Sequence, residues 1–416
     1  MMKNKKDIEI KSNEISLQEA SKENNTEIIY YFLSKQNKIE NQTFEKSNLK
    51  QIAIPYSITS IGFRAFYFCK QLVQISIPPS VTLIKEYAFG CCQKLKQIKI
   101  PSSLLLIIDK NHNSIIRKTI NGYAFRKCSK LENVSIPSSI NFIDFYAFTE
   151  CWSLKITIPS SVNHIGRMAF NGCKSVTINA TQSLINSIDN DAFAEVSSIQ
   201  IIGYITNIPN RLLSRCFEVT HVTIPSSVTN IGHSAFSECS NLREIIITAS
   251  VTSIGDWAFN HCSSLAKIEM PSQLSKIGHY TFSECSNLTE VIVPSLVTSI
   301  GDFAFYKCSK LMKIVIPSSV TSIGDYAFCR CSSLTTFAIP SISKIGRNTF
   351  SKCWSLKKVT IPPSVISIEC EAFEDCSSLK KIEIPSSVTF IEKDSFRGCV
   401  SLPPNSIPLF HSDLRL

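Results

Sequence analysis

The sequence predicts a repeat solenoid that is mainly β, with short helical turns and a parallel sheet along one face. A unit of about 23 residues, such as the one that runs from Ile316 to Ala338, recurs down almost the whole 416-residue chain. A period of this length is typical of stacked repeats, which bury their apolar faces only against their neighbours. A chain of this length would ordinarily be expected to form two or three domains, but the repeat predicts one continuous solenoid instead. The repeat also favours a binding surface over an active site.

Three columns of residues define the period. Phe, Cys and Pro each recur at the spacing of the unit, and all three slip by one residue near Ser341. Upstream, the columns continue to Phe66 and Cys69. The columns indicate 15 clear turns and one degenerate first turn, which begins at Ile39.

Within a turn, each segment predicts its own local structure. The pattern L-x-x-I-x-I-P indicates a strand, because its two Ile positions alternate with one outward residue and Pro then ends the ladder. The β-prone residues around Val320 and Ile323 predict a second short strand on the outer side. Ala327, Phe328 and Cys331 then fall on one face of a single helical turn. Lys, Asp or Glu sometimes replaces the Gly before this turn, so a strict requirement for positive φ is not expected.

These motifs resemble the leucine-rich repeats of the BspA-like family, whose pattern is roughly IPxSVTxIGxxAFxxCxxLxxI. The segments from Ile224 to Ile245 and from Ile316 to Phe337 match it nearly position for position. The resemblance covers about residues 39–400 and implies a leucine-rich repeat solenoid. It also implies interaction and surface proteins, including bacterial and protist adhesins and antigens.

The chain divides into three parts around the repeat. Residues 1–38 form a polar N-terminal segment, of which residues 1–25 are expected to be disordered. The sequence EIIYYFLS, residues 27–34, predicts an amphipathic helix that caps the first turn, or alternatively a short helix that binds a partner. Residues 39–402 form the solenoid, and residues 403–416 form a C-terminal tail.

Two stretches interrupt the solenoid. The turn after Pro101 is about thirteen residues too long, and the excess near residues 108–119 predicts a loop that is either functional or neutral. The turns within residues 171–216 are irregular, because Val196 and Leu213 replace column residues. We expect a bend or a break in the stack there, but no domain boundary, because the β pattern continues.

Fourteen of the seventeen Cys occupy the repeat column. Stacked turns place equivalent Cα atoms about 4.8 Å apart, which disulfides allow, but parallel Cβ vectors would strain every such pair. Buried free thiols are therefore predicted, with disulfides as the alternative. Cys91, Cys329 and Cys370 lie outside the column and are the candidates for exposed thiols.

Several functions are not supported by the sequence. The net charge of +10 comes without a Lys/Arg block interleaved with aromatic residues, so no nucleic-acid partner is predicted. No apolar run is long enough to span a membrane. Catalytic and metal-binding motifs are missing, so the sequence predicts no enzyme, cofactor or metal. His233 and His279, two turns apart, are expected to face solvent, as are Glu374 and Asp375.

The first residues, MMKNKKDIEI, are basic but lack the apolar core of a signal peptide. We therefore expect a cytoplasmic location. The alternative is the cell surface, reached by unconventional export.

The candidate binding surface lies on the outward positions of the L-x-x-I-x-I segments. The residue between the two Ile is apolar in several turns, and charged residues fill the flanking outward column. An apolar strip bordered by charge is typical of a peptide or protein site, whereas β propensity on an exposed sheet is the alternative explanation. The candidate residues are Ile246, Lys267, Ile292, Lys313, Val315 and Lys358.

The sequence therefore predicts a non-enzymatic recognition scaffold for a protein or peptide ligand. A cell-surface adhesin or antigen is the alternative function, and it rests on the family resemblance.

Overall fold

The computed structural model describes residues 15–110, 113–403 and 406–407. It contains two compact units, Met1–Gly203 (unit 1) and Tyr204–Leu416 (unit 2), and each is a stack of parallel β turns. The division falls within the irregular turns of the sequence. The predicted class, a leucine-rich repeat solenoid with a parallel sheet, is confirmed.

Two strands recur in most turns: a first strand in the L-x-x-I-x-I segment and a second strand after the Pro. The first strands of unit 1 are Gln51–Ala53, Gln74–Ser76, Gln97–Lys99, Asn133–Ser135, Lys155–Ile158, Ser175–Asn179 and Ser198–Ile202. Those of unit 2 are His221–Thr223, Glu244–Ile246, Glu290–Ile292, Lys313–Val315, Thr336–Ala338, Lys358–Thr360 and Lys381–Glu383. The second strands of unit 1 are Lys38–Ile39, Ser60–Ile61, Leu83–Ile84, Thr119–Ile120, Phe142–Ile143 and His164–Ile165. Those of unit 2 are Asn207–Ile208, Asn230–Ile231, Ser253–Ile254, Lys276–Ile277, Ser299–Ile300, Ser322–Ile323, Lys344–Ile345, Ser367–Ile368 and Phe390–Ile391.

Successive turns pair in parallel and in register. Glu290–Ile292 pairs with Lys313–Val315, and Ser299–Ile300 pairs with Ser322–Ile323. In both pairs each residue lies opposite the equivalent residue of the next turn. Most first strands show an exposed–buried–exposed pattern, as in Lys358–Thr360. The period of two read from the sequence therefore sets which side chains enter the core.

The first-strand ladder of unit 2 has a gap. The segment from Ala266 to Met270 forms no strand, although Ile268 remains buried. In the turn of Lys313–Val315, Ile314 and Ile316 are half-exposed, whereas the alternation placed both inside. The sheet of unit 2 is therefore less completely packed here than in its other turns.

The corner of each turn, Asp325–Cys331 in one repeat, is not the helical turn expected from the sequence. Tyr326 and Arg330 have φ values of 58° and 64°, in the left-handed region. The corner instead makes a third ladder: the N–H groups of Phe303, Phe305 and Lys307 donate to carbonyl groups of the next turn at 2.8–2.9 Å. These inter-turn bonds satisfy backbone groups that a helix would have paired internally.

Column Phe residues form the centre of the core. Phe305 is fully buried, and its ring stacks on Phe282 and Phe328 with centroids 5.5 and 5.4 Å apart. In unit 1, Phe125 stacks in the same way on Phe89 and Phe148. Neighbouring turns therefore bury each other's aromatic faces, as the repeat logic requires.

The column Cys are buried, as predicted, and all seventeen Cys are free thiols. They are also hydrogen-bond donors: the Sγ of Cys308 lies 3.2 Å from the carbonyl oxygen of Phe282, in the preceding turn. The same bond recurs for twelve further column Cys. The carbonyl oxygen of Phe282 also accepts from the N–H of Cys285, so a small apolar residue would fill this space but would lose the second hydrogen bond to that oxygen.

The N-terminal segment is more ordered than expected. Helix α1, Leu17–Lys22, begins with a capping box between Ser16 and Glu19, so the described part of residues 1–25 is helical. Helix α2, Thr26–Ser34, matches the predicted capping helix and buries Ile28, Ile29 and Leu33. Those buried side chains favour the capping role over the alternative of a free partner-binding helix.

The two predicted interruptions both contain secondary structure. The long turn carries an antiparallel hairpin, Leu106–Lys110 with Asn113–Arg117, and not an irregular loop. Among the irregular turns, helix α3, Gln182–Asn186, follows the first strand Ser175–Asn179. It takes the place of the extended segment that leads to the second strand in other turns. Thr181 caps this helix by accepting a hydrogen bond from the N–H of Leu184.

Candidate protein-binding surface

The predicted apolar residues do face solvent. Ile246 is 66% exposed, Ile292 is 65% exposed and Val315 is 44% exposed. Ile246 and Ile292 each sit beside a buried core residue in the strand, and Val315 sits beside the half-exposed Ile314, so alternation along the strand points all three away from the core. The outward orientation is confirmed, and binding at these positions remains a prediction.

The structure brings two of these residues together directly. Ile292 and Val315 are cross-strand partners on paired parallel strands. Beside them, Lys313 Nζ lies 3.0 Å from Glu290 Oε1. The border lysine is therefore paired with a carboxylate of the neighbouring turn, and the pair is exposed, so it contributes little stability.

The other predicted residues are separated from this pair. Ile246 is two turns from Ile292, with the exposed Glu269 between them, and Lys267 lies in the ladder gap. Lys358 belongs to a different ladder, where its register partner is Lys381. The six predicted residues therefore do not form one patch, and the compact part is the Ile292–Val315 pair.

Sequence reasoning missed two exposed apolar residues in the same two turns as this pair. Met312 is 55% exposed and precedes Lys313–Val315, while Leu296 is 51% exposed and follows Glu290–Ile292. The half-exposed Ile314 and Ile316 add apolar surface in the same turn. We call Ile292, Leu296, Met312 and Val315 the apolar patch. Both Met312 and Leu296 had a signal in the sequence, because each is an apolar residue in a column that is otherwise mainly polar.

The off-column thiols differ from expectation. Cys91 and Cys329 are buried, each with 5% exposure, and Cys370 is half-exposed. Burial raises the pKa of the Cys329 thiol, and burial followed by the carboxylates of Glu371 and Glu392 raises the pKa of Cys370. None of these thiols has the lowered pKa of a reactive nucleophile.

The His and Asp residues that follow the column Gly line a cleft of about 510 Å³ in unit 2. Asp302 Oδ1 accepts a hydrogen bond from the N–H of Asp325 in the next turn, and Asp325 Oδ1 accepts one from the N–H of Arg347. His233 and His279 are exposed, as expected. These carboxylates act as caps between turns.

Across residues 15–110 and 113–403, no group of three or more His, Cys, Asp or Glu could hold a metal ion.

Glu374 is buried, contrary to expectation, with a side chain only 7% exposed. Ser351 Oγ donates to it at 3.0 Å, Lys352 Nζ lies 3.7 Å away, and Arg397 pairs with its other oxygen. A buried carboxylate requires such partners, so the residue connects three turns and is not solvated. Its neighbour Asp375, also expected to face solvent, is half-exposed.

In the described part of the chain, no helix combines the length and the apolar character needed to cross a bilayer.

The stacked parallel turns, the buried Phe and Cys columns and the solvent-facing strands define a leucine-rich repeat solenoid. The family model of the BspA type leucine rich repeat region, with six copies, matches residues 37–115, 118–208, 206–335 and 298–411. The chain therefore belongs to the BspA type leucine-rich repeat family.

The chain is also similar to several solved structures. A leucine-rich repeat protein from Bacteroides ovatus is 27% identical, with a TM-score of 0.55 over 77% of this chain and 88% of that chain. A leucine-rich repeat protein from Eubacterium ventriosum is 20% identical, with a TM-score of 0.41 over 88% of this chain and 86% of that chain. A leucine rich cell surface protein from Faecalibacterium prausnitzii is 25% identical, with a TM-score of 0.33 over 88% and 82%. Comparison with curated proteins finds no match.

Proposed function

We propose that the protein is a recognition scaffold that binds a protein or peptide ligand through the apolar patch of unit 2. The observation that carries this proposal is the direct pairing of two exposed apolar residues, Ile292 and Val315, beside the Glu290–Lys313 ion pair. Apolar groups at such positions add nothing to the core and favour aggregation. A binding role gives them a function, and a rim of charged residues would orient the ligand.

The test is a double substitution, Ile292→Asp with Val315→Asp. Both side chains are exposed, so we expect the circular dichroism spectrum and the melting temperature to stay near those of the wild type. We expect capture of the partner from cell lysate to be lost, because two carboxylates replace the apolar contact. Ile366→Asp is the matched control, since Ile366 is 54% exposed in another turn. Unchanged capture by the folded double variant would instead direct attention to the inserted hairpin.

A cell-surface adhesin or antigen is the second candidate, and family membership favours it. The comparisons give no support to the cytoplasmic location expected from the first residues. Buried thiols are compatible with an oxidising exterior, because oxidants react with accessible thiolates. Surface labelling of intact cells, followed by fractionation, distinguishes the candidates: labelled protein supports the surface, and labelling only after lysis supports an internal scaffold.

A further inference from the structure

A groove of about 650 Å³ crosses the corners of unit 2, and its lining comes from corner residues and not from first strands. This volume is within the range of small-molecule and oligomer sites. We call it the corner groove. It is separate from the apolar patch, since the two share no residue.

Hydroxyl groups line the groove along its length. The residue after the column Cys is Ser in five successive turns: Ser240, Ser263, Ser286, Ser309 and Ser332. The Oγ of Ser332 donates to the carbonyl oxygen of Ser309 at 3.1 Å, and the Oγ of Ser263 donates to that of Ser240 at 3.2 Å. In Ser263, Ser286, Ser309 and Ser332 the hydroxyl hydrogen is used between turns, and the Oγ can still accept a hydrogen bond from a ligand.

The charged side chains of the groove balance one another. The residue before the column Cys supplies Glu238, His261, Glu284, Lys307 and Arg330. Lys307 Nζ lies 2.9 Å from Glu284 Oε1, and His261 Nδ1 lies 3.3 Å from Glu284 Oε2. The lining holds two carboxylates and two cations, which leave no net charge when His is neutral, and Glu238 also pairs with Arg215, which lies outside the lining, at 3.5 Å. The groove therefore complements a neutral ligand that both donates and accepts hydrogen bonds.

Aromatic rings stand at both ends. Phe217 and Trp354 occupy the Ser position in the turns that bound the groove, and they are 36% and 50% exposed. Six repeats separate them, which corresponds to roughly 29 Å at the spacing of paired strands. Elsewhere on the corners, rings cover one another, as in Trp257 on Tyr280 at 3.7 Å. Phe217 and Trp354 make no such ring contact within the described residues, so their faces are available to a ligand.

These observations together favour a sugar over a peptide. An extended peptide gains affinity from an open strand edge, but the backbone here is already bonded, for example from Lys307 N–H to the carbonyl oxygen of Cys329 at 2.8 Å. A sugar chain offers hydroxyl groups that match the Ser and charged side chains, and the apolar face of a pyranose ring packs on an aromatic ring. We propose that the corner groove binds an extended neutral oligosaccharide.

The test is calorimetric titration of the purified full-length protein with cellohexaose, maltohexaose and chitohexaose in turn. We expect saturable binding of at least one of them, weakened about tenfold by Trp354→Ala and restored by Trp354→Phe. Trp152→Ala is the matched control, because Trp152 follows a column Cys in unit 1, is 51% exposed and lies outside the groove. The double variant of the apolar patch is expected to bind the sugar like the wild type.

Three results would overturn the proposal. The first is no binding of any of the three hexasaccharides at millimolar concentration. The second is binding that neither Trp354→Ala nor Phe217→Ala weakens. The third is tighter binding of hexagalacturonate, an acidic chain of the same length, because that would show that the cations of the groove act without their carboxylate partners.

Discussion

Thirteen of the column Cys are seen to combine two physical roles at one position. Such a Cys fills core space, and its S–H group donates to a carbonyl oxygen of the preceding turn, as Cys285 does to Phe259 at 3.2 Å. Burial raises the pKa of the Cys285 thiol to about 12, so almost none of it is thiolate at neutral pH. These thiols are therefore structural and unreactive. The sequence could predict their burial from the column, but not the bond, which depends on a carbonyl group one turn away.

Cys370 is expected to be the one thiol that reacts in the native protein. Its pKa is raised above the ordinary value of 9.0 by burial and then by nearby carboxylates. Because the thiolate is the nucleophile, labelling by iodoacetamide should be slow at pH 7, should speed up steadily as the pH rises, and should not yet level off at pH 9. Mass spectrometry of the labelled protein locates the site, and denaturation should release all seventeen thiols. Mostly blocked thiols in a denatured, non-reduced sample would show that the column is oxidised.

At the scale of the element, the sequence predicted the strands correctly but predicted a helical turn at the corners, where the backbone is left-handed. The strands have a clear period of two, whereas the corner motif A-F-x-x-C is equally compatible with a helical turn. Residues such as Phe303 and Lys307 have no preference for the left-handed region, yet their φ values are 55° and 56°. The inter-turn ladder imposes this conformation, and no local pattern records it.

Gly at a left-handed corner position is expected to stabilise the protein. Glu195 has φ of 56°, is exposed, and occupies the position that Gly172 holds one turn earlier with φ of 73°. The left-handed conformation costs a residue with a Cβ about 1–2 kcal/mol, and Gly avoids this cost. Gly also loses more chain entropy on folding, which offsets roughly 0.5–1 kcal/mol of that gain in stability. Glu195→Gly should therefore raise the urea midpoint of unfolding, equivalent to about 0.5–1 kcal/mol. Glu195→Ala keeps the Cβ and should not; an equal rise in both variants would mean that the backbone is not strained.

The candidate sites could be predicted from the sequence only in part. The outward direction of Ile292 and Val315 followed from alternation, but their isolation from Ile246 and Lys267 did not, because it depends on the ladder gap. The corner groove left a signal in the sequence: a Ser column between Phe217 and Trp354. The Ser column alone does not predict a groove. The groove exists because the left-handed corners place the charged residues that precede the column Cys beside the Ser residues that follow it.

At the scale of the whole molecule, stability resides in interfaces between turns. Within each unit, successive described turns are bonded to each other by the first strands, the second strands or the corners, and the column Phe rings stack between most of the same turns. The N-terminal edge of unit 1 is covered by helix α2. A defect in one turn must therefore weaken its neighbours before it affects distant turns.

Phe305→Ala is expected to show this spread of damage. Removing a fully buried ring should cost roughly 3–5 kcal/mol. We expect loss of hydrogen-exchange protection to be greatest in its own turn and in the turns of Phe282 and Phe328, which stack on it. Phe390→Ala is the control, since Phe390 is 54% exposed and its loss should change stability by about 0.5 kcal/mol or less. A negligible shift for Phe305→Ala would mean that the column ring is not part of the core.

The in-register pairing of successive turns has a consequence for the gene. Each interior turn offers its successor the same donors, acceptors and aromatic face that it receives from its predecessor, as the register of Glu290–Ile292 with Lys313–Val315 illustrates. An in-frame duplication or deletion of one unit therefore leaves both new neighbours with complementary surfaces. Misaligned recombination between copies can then produce alleles of different length that still fold, and selection can lengthen or shorten the recognition surface without redesigning its core.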